Sequence, residues 1–264
     1  MAKKDAAYKV IIQKIFADHY NGTGDEFEFE REEIAAAAVT LKVKTPKNLG
    51  DVIYTFRYRS KLPQAVLGTQ PEGKHWLILG AGDARYRFRL SNLATIEPAK
   101  GLLVRKIPDA TPEIITRYAF NDEQALLAKI RYNRLIDIFL GITAYSLQNH
   151  LRTKVTNYGQ IEIDELYVGV DARGAQYVVP VQAKGGKDSL GVIQTIQDTV
   201  FCENQPRYAH SIARPVSAQF MSGDIIALFE LNFDGNDVSI VQERHYRLAS
   251  AATISESELL AYRK

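Results

Sequence analysis

The spacing of apolar residues over the first sixty positions predicts three helices and one short strand. Helical spacing covers residues 5–20, 31–41 and 47–61, whereas residues 26–30 alternate as a strand with one acidic face. In the third helix, one stripe of apolar residues recurs at i, i+3, i+4 and i+7 and therefore faces a core. That stripe consists of Leu49, Val52, Ile53 and Phe56.

Residues 75–90 add an apolar strand, a glycine-containing turn and a strand in which three arginines share one face. Helix, strand, helix, helix and wing is the order of a winged helix-turn-helix, in which residues 47–61 enter the major groove of DNA. The alternative is a structural domain whose arginines are merely solvated. The residues expected to contact DNA are Lys47, Asn48, Tyr54, Arg57, Arg59, Arg85, Arg87 and Arg89.

Two prolines in a short polar run, Pro108 and Pro112, predict a boundary between domains 1–110 and 111–264. Beyond it, a heavily apolar helix is expected from about residue 121 to about residue 151, with Gly141 as a point of division. A further helix is expected over residues 189–201. Strands are expected over residues 206–220, 224–232 and 238–246.

The most informative stretch is residues 159–186, where two apolar runs flank the turn Asp171-Ala172-Arg173-Gly174. This pattern predicts a hairpin in which residues whose numbers sum to 345 or 346 face one another. In the second register, Asp164 lies opposite Gln182. Because side chains alternate along a strand, one sheet face then carries four polar groups. They are Glu162, Asp164, Gln182 and Lys184.

These side chains suit the cutting of a phosphodiester. A lysine in a strand of an apolar segment is rare without a reason. Mg²⁺ takes one or two carboxylates with other oxygens, and Asp164 and Gln182 carry such groups. Lys184 can hold or deprotonate water, or neutralise charge on a phosphate. The alternative is an ordinary hairpin with a solvated polar edge. Asp171 is a competing aspartate, but it lies in the turn, far from Lys184.

Asp164 followed by Gln182-Ala183-Lys184 resembles the PD-(D/E)xK nuclease superfamily in its QxK form, which Mrr-like and Type II restriction endonucleases represent. The resemblance implies a restriction-endonuclease-like mixed sheet flanked by helices, so that the whole chain is α+β or α/β. It also implies Mg²⁺ and double-stranded DNA. Asp164 would bind the metal, Gln182 would occupy the substituted second motif, and Lys184 would be the catalytic lysine.

The sequence departs from the motif at two positions. Ile163 stands where the motif has proline, and Gln182 is a weaker metal ligand than an acid. Glu162 is therefore expected to assist as a third metal ligand. The superfamily also places a helical acid beside the metal, which makes Glu123 and Asp137 worth testing.

Composition sets limits on the class of protein. With 264 residues, 46% of them apolar, the chain suits one large or two modest domains. It contains no apolar run that could span a membrane and one cysteine, Cys202, so a cytoplasmic location is expected. Residues 1–110 hold 18 Lys and Arg against 13 Asp and Glu, whereas the remainder holds 15 against 18. Binding of a polyanion is therefore expected to begin in the first half.

The sequence predicts a metal-dependent endodeoxyribonuclease, of the sequence-specific restriction type. Cutting both strands implies a homodimer by symmetry, and a DNA methyltransferase acting on the same site is a partner to look for. Three alternatives stay open. They are a low-specificity repair or mobile-element nuclease, a non-catalytic winged-helix regulator, and an interaction protein that ignores nucleic acid.

Overall fold

The computed structural model describes residues 2–118, 123–186 and 188–263, with side chains from residue 5 onward. The helices are α1 (Ala2–His19), α2 (Glu33–Thr40), α3 (Gly50–Tyr58), α4 (Gln64–Leu67), α5 (Glu113–Tyr118), α6 (Glu123–Tyr132), α7 (Leu135–Leu140), α8 (Val192–Asn204) and α9 (Glu256–Ala261). The strands are β1 (Glu26–Glu30), β2 (His75–Gly80), β3 (Arg85–Ser91), β4 (Thr95–Ile96), β5 (Val104–Pro108), β6 (Thr143–Val155), β7 (Gly159–Val170), β8 (Gln176–Lys184), β9 (Leu190–Gly191), β10 (Ile212–Ala213), β11 (Val216–Met221), β12 (Ile225–Phe233) and β13 (Val238–Ala249).

The first part of the chain packs helices α1 to α4 against an antiparallel sheet of order β1-β3-β2. Aromatic residues fill its core, and the rings of Phe16 and Trp76 meet edge to face with centroids 5.3 Å apart. The predicted strands of this region are confirmed. The predicted third helix begins at Gly50 rather than at residue 47, because Asn48 Oδ1 accepts the Gly50 N–H at 3.1 Å in a turn before the helix.

The second part of the chain forms a large mixed sheet of order β5-β13-β12-β11-β8-β7-β6, with β10 beside β8. Strands β8 and β11 are parallel, and α8 lies between them in the sequence. Helices α6 and α7 cover one face of this sheet, where Val181 and Leu228 are buried. Helix α8 covers the other face, where Phe229 is buried. The predicted mixture of helices and a mixed sheet is thus confirmed.

The prediction of one long helix to about residue 151 is wrong. Helix α7 ends at Leu140, and Thr143–Val155 is strand β6, which pairs antiparallel with β7. Arg134 and Gly141 have left-handed φ values of 49° and 67°, which a right-handed helix cannot continue. Gly141 is the predicted point of division, whereas the interruption at Arg134 and the strand after Gly141 were not predicted. Asn121 and Asp122, the predicted start of the helix, lie outside the described residues.

The two parts of the chain share a core. Trp76 and Ile78 of β2 pack inside the first part, whereas Leu77 and Leu79 pack with Ile196 of α8. Strands β4 and β5 pair with β9 and β13, so residues before the predicted boundary at 110 already join the second part. No helix within the described residues is long and apolar enough to cross a membrane.

The turn after β2 touches the turn between β6 and β7. A Cβ atom built on Gly80 would lie 2.3 Å from the carbonyl oxygen of Asn157. The backbone N–H of Gly82 donates to the same oxygen at 3.3 Å. Only glycine therefore allows this approach without a shift of backbone.

Gly80→Ala is expected to lower the free energy of unfolding by roughly 1–3 kcal/mol, because the new methyl group meets backbone atoms that cannot rotate away. Urea unfolding measures the change. Gly50→Ala is the control, since its Cβ meets only the Asn48 side chain at 3.4 Å and alanine favours a helix. Equal effects of the two substitutions would contradict the tight contact at Gly80.

Candidate active site

Strands β7 and β8 form the predicted hairpin in the register that sums to 346, and their pairing ends at Glu165 opposite Val181. Beyond this pair, β8 continues beside β11, with Gln182 opposite Ser217 and Lys184 opposite Gln219. Asp164 Oδ2 accepts the backbone N–H of Ala183 at 2.8 Å. The Asp164 carboxylate thus takes the place of the backbone acceptor that the Ala183 N–H would have had if β8 had stayed paired with β7.

Strand β6 is also irregular at this level. His150 lies between Asn149 and Leu151, which pair with Glu165 and Ile163 on β7. Its φ of 47° is uncommon for a residue with a side chain, and it falls beside Asp164. The pairing of β6 with β7 thus omits only the position of His150 and Asp164, and its register is the same on either side of that position.

Three charged side chains, those of Glu123, Asp164 and Lys184, come together where the hairpin opens. Lys184 Nζ donates to Glu123 Oε1 at 2.8 Å, so the first residue of α6 meets the end of β8. The charges of Lys184 and Glu123 both act on the pKa of Asp164. Gln182 comes from the same strand as Lys184. Of the two helical acids predicted to be worth testing, the structure brings Glu123 to the site.

Burial and charge pairing set the protonation of these groups. Asp164 is 8% exposed, and burial raises its pKa above the usual range although the Ala183 N–H and Lys184 act in the opposite direction. Burial alone would lower the pKa of Lys184, but the hydrogen bond to Glu123 and the charge of Asp164 outweigh it and raise the pKa. Lys184 is therefore an ammonium near neutral pH, suited to stabilising negative charge rather than to removing a proton.

Asp198 of α8 is a buried acid that the sequence analysis missed. It is 4% exposed, and burial followed by the charge of Asp164 raises its pKa well above the usual range. Helix α8 is buried around most of its surface, so its polar residues are enclosed together with its apolar ones. The sequence did contain one indication of this polar face, because Gln194 and Asp198 are four positions apart and therefore lie on the same side of the helix.

Two side chains hold the amide of Gln182. Its Nε2 donates to Gln194 Oε1, and its Oε1 accepts from Ser217 Oγ at 3.5 Å. Neither Gln194 nor Ser217 was identified from the sequence. The amide is buried, and its orientation depends on α8 and β11.

The other predicted or competing acids have partners of their own. Glu162 pairs with Arg152 at 3.1 Å and with His150 at 3.5 Å, and the hydrogen bond from Arg152 is the main cause of its lowered pKa. Asp137 accepts from Arg134 and from the Ala144 N–H.

Asp171 stays in the hairpin turn, as the sequence indicated. Burial opposes its ionisation, but the N–H groups of Arg173 and Ala175 lower its pKa to about 2.

The predicted metal ligands near the opening carry chemical groups that a hard divalent cation prefers. Glu123 and Asp164 provide carboxylates, and Gln182 provides a carbonyl, which together match the oxygen preference of Mg²⁺. This set of ligands is small. Among residues 2–118, 123–186 and 188–263, no three Asp, Glu, His or Cys side chains are grouped so that they could hold a metal ion. Water and phosphate oxygens would complete the coordination shell.

The residues in and around α3 that are predicted to contact DNA differ in exposure. Lys47, Asn48, Tyr54 and Arg59 are exposed, and the Arg59 guanidinium lies 4.7 Å from the Tyr54 ring centroid. Arg57 instead donates from Nε to the carbonyl oxygen of Ile78 at 2.7 Å, and burial lowers its pKa.

The arginines of β3 face the acidic strand β1, a pairing that the sequence analysis did not foresee. Arg87 bonds Glu26 and Glu28, at 3.3 and 2.6 Å. Arg85 lies 3.8 Å from Glu28. Arg89 donates to the carbonyl oxygen of Asn236 at 2.5 Å. Contact of these arginines with DNA stays a prediction, and it would require phosphates to compete with these partners.

Comparisons of the chain with protein-family models, with curated proteins and with solved structures find no match in any of the three. The interpretation of this site therefore rests on its own geometry and chemistry.

Asp198→Asn is expected to raise the free energy of unfolding at pH 8, because the folded wild type must either keep this proton or bury a charge. The folded wild type holds this proton more tightly than the unfolded chain. Its stability therefore falls as pH rises above the ordinary aspartate pKa toward the raised one. Asparagine does not ionise, so the variant does not lose stability in this way. Its free energy of unfolding should therefore exceed that of the wild type by less and less as pH falls toward 4.

Urea unfolding in EDTA at pH 4, 6 and 8 measures this effect. Asp83→Asn, at an exposed aspartate of the turn between β2 and β3, is the control and is expected to show little pH-dependent change. An advantage of Asp198→Asn that stays constant from pH 4 to pH 8 would contradict the buried, protonated acid.

Proposed function

We propose that the protein is a metal-dependent endodeoxyribonuclease of the PD-(D/E)xK type, which hydrolyses phosphodiester bonds in double-stranded DNA. The observation that carries the proposal is the contact of Glu123, on α6, with Lys184, on β8, where the hairpin opens beside Asp164; Gln182 precedes Lys184 by two residues on the same strand. If the hairpin merely had a solvated polar edge, there would be no reason for Glu123 on α6 to contact Lys184 on β8.

The order of elements around this opening supports a restriction-endonuclease-like domain. A helix bearing an acid, three antiparallel strands, a crossover helix and a strand parallel to the third follow one another as α6, β6, β7, β8, α8 and β11. The extra helix α7 stands between α6 and β6. Asp164 lies on the second strand of this unit, and the QxK residues lie on the third.

The first part of the chain supports a winged-helix reader of DNA. Its order α1, β1, α2, α3, β2, β3 and its sheet order β1-β3-β2 suit this class, with the short helix α4 added. In this proposal, Tyr54 on the exposed side of α3 contacts DNA, together with Lys47 and Asn48 before the helix and Arg59 after it. Tyr58, at the end of α3, donates to Gln197 of α8 at 2.9 Å, so a reading helix would be held near the cutting site.

The side chains divide the chemistry among them. Asp164, Glu123 and the Gln182 carbonyl would hold Mg²⁺, which when bound supplies a Lewis acid for the phosphate and acidifies a bound water. The Lys184 ammonium stabilises negative charge that grows on the phosphate oxygens as water attacks phosphorus and the bond to the leaving oxygen breaks. Glu123 orients Lys184 through their ion pair.

A non-catalytic DNA-binding regulator is the second proposal. Glutamine at the second motif position, and the absence of a three-acid group from the described residues, favour it. A low-specificity repair or mobile-element nuclease would share the proposed site and differ in the DNA that it cuts.

Further parts of the proposal follow from a double-strand cut. A homodimer would present one site to each strand, and a sequence-specific enzyme would need a DNA methyltransferase to protect host DNA. A cytoplasmic location belongs to the same proposal.

Lys184→Ala and Asp164→Asn are each expected to reduce Mg²⁺-dependent cutting of plasmid and genomic DNA by at least about a hundredfold, because each removes charge placed at the reacting phosphate. Modified and unmodified DNA are tested with Mg²⁺ and with EDTA, and binding is measured in parallel. Asp171→Asn is the matched control. It removes a carboxylate in the turn of the same hairpin but keeps the oxygen that accepts from Arg173 and Ala175.

Discrete fragments would support a restriction enzyme, and a smear would support a nuclease of low specificity. DNA binding by the wild type without cutting on any substrate would contradict the nuclease and favour the regulator. Loss of cutting in Asp171→Asn as large as in Asp164→Asn would contradict the assignment of the site.

A further inference from the structure

The side chains proposed to bind the metal and the phosphate leave one task of hydrolysis unassigned, the removal of a proton from the attacking water. The raised pKa of Lys184 keeps it an ammonium near neutral pH, so it has no lone pair to offer. The carboxylates of Glu123 and Asp164 already accept from Lys184 and from the Ala183 N–H. The simplest source of a general base is therefore a further side chain beside these residues.

His150 of the edge strand β6 lies beside them. The neighbours of His150 in the sequence pair with the neighbours of Asp164, so the two residues fall at the same level of the sheet. Burial is the main cause of the raised pKa of Asp164, and a charge on His150 acts against it. The His150 ring also meets the amide of Gln124, which directly follows Glu123 on α6. The ring is therefore near both Asp164 and the start of α6.

The contacts of the two ring nitrogens define a neutral imidazole in one orientation. Gln124 Nε2 lies 2.5 Å from His150 Nε2. Because an amide nitrogen only donates, His150 Nε2 is the acceptor and the ring proton is on Nδ1. Nδ1 lies 3.5 Å from Glu162 Oε1, and the hydrogen bond from Arg152 lowers the pKa of Glu162, so this partner is a carboxylate. A carboxylate at Nδ1–H leaves the lone pair of Nε2 to accept a proton, as in the Ser-His-Asp arrangement.

The setting of His150 suits a reacting group better than a structural one. Its side chain is 47% exposed, and Gln124 is exposed as well, so water can replace the amide at Nε2. Its φ of 47° is an uncommon conformation of the kind that clusters at active sites. His245, by contrast, is 2% exposed in the core and pairs with Glu243 at 2.7 Å.

We propose that His150 is the general base of the nuclease and that Glu162 is its positioning residue. The inference deepens the proposed function and rests on it. His150 Nε2 takes a proton from water as the water oxygen forms a bond to phosphorus. The bond from phosphorus to the leaving oxygen breaks, and that oxygen takes a proton from solvent. The imidazolium then returns its own proton to solvent. In this proposal Glu162 holds the ring of His150 rather than the metal.

Chemical rescue tests this role in the full chain. His150→Gly is expected to lower the single-turnover rate of Mg²⁺-dependent plasmid cutting by at least about a hundredfold, at unchanged DNA affinity, because general base catalysis contributes that much. Glycine adopts a φ of 47° without strain, so the variant keeps the strand. Added imidazole is expected to restore cutting, and more basic methylimidazoles are expected to restore it further. His150→Asn, which also tolerates this φ, is a second variant and is expected to lose cutting to the same extent.

His210→Ala is the matched control. His210 is exposed and comes shortly before β10, which pairs with the first residues of β8, at the opposite end of that strand from Lys184. Its replacement is expected to leave the cutting rate unchanged and insensitive to imidazole.

A double variant tests the role of Glu162. Glu162→Gln is expected to slow cutting on its own but to add no further loss to His150→Gly, because Glu162 acts through His150. A merely structural role of Glu162 would lower the rate in both backgrounds.

Rescue by imidazole, in a variant with an unchanged unfolding midpoint, would support the proposal. Undiminished cutting by His150→Gly, a loss that no imidazole restores, or an equal loss in His210→Ala would overturn it and leave the nuclease standing. A wild type that cuts no DNA would contradict the nuclease itself and the base with it.

Discussion

The separation of β7 from β8 after Glu165 and Val181 is the constraint on which the candidate site depends. Strand β8 lies between β7 and β11, and its last residues keep only β11 as a backbone partner. The Ala183 N–H would be a buried donor without an acceptor, a defect that costs about 1–3 kcal/mol. Asp164 removes the defect, because its carboxylate takes that N–H at 2.8 Å. The same separation leaves the end of β8 free to reach α6, where Lys184 meets Glu123.

A second constraint fixes the first part of the chain against this opening. Tyr58 bonds Gln197 on α8, the helix that also carries Gln194 and Asp198. Gln197 also donates to the carbonyl oxygen of Tyr158 at 3.4 Å, and the turn at Gly80 rests on the backbone of the neighbouring residue Asn157, between β6 and β7. Helix α3 and the candidate site are therefore joined through packed elements rather than through a flexible linker. If α3 reads DNA, its distance from the cut is set by these contacts.

The hairpin and the fold class could be predicted because they depend on local patterns. The turn residues and the alternation of residues 161–183 fix the register, although the pairing ends at Glu165 and Val181, one position before the predicted pair of Asp164 and Gln182. Contacts between residues that are distant in the sequence could not be predicted from these local patterns. Nothing local shows that Glu26 and Glu28 neutralise Arg87, or that Asp198 comes close to Asp164 through the packing of α8. Strand β6 was mistaken for helix because its neighbour β7, and not its own spacing, determines its conformation.

Diffraction from crystals soaked in Mn²⁺, which stands in for Mg²⁺ and scatters anomalously, tests the central claim most directly. The account predicts an anomalous peak about 2 Å from carboxylate oxygens of Asp164 and Glu123, with the Gln182 carbonyl facing it. The same peak should be absent from crystals of Asp164→Asn and present in Asp171→Asn. A peak at some other group of residues, or none at the opening of the hairpin at millimolar Mn²⁺, would contradict the assignment of a metal-dependent site.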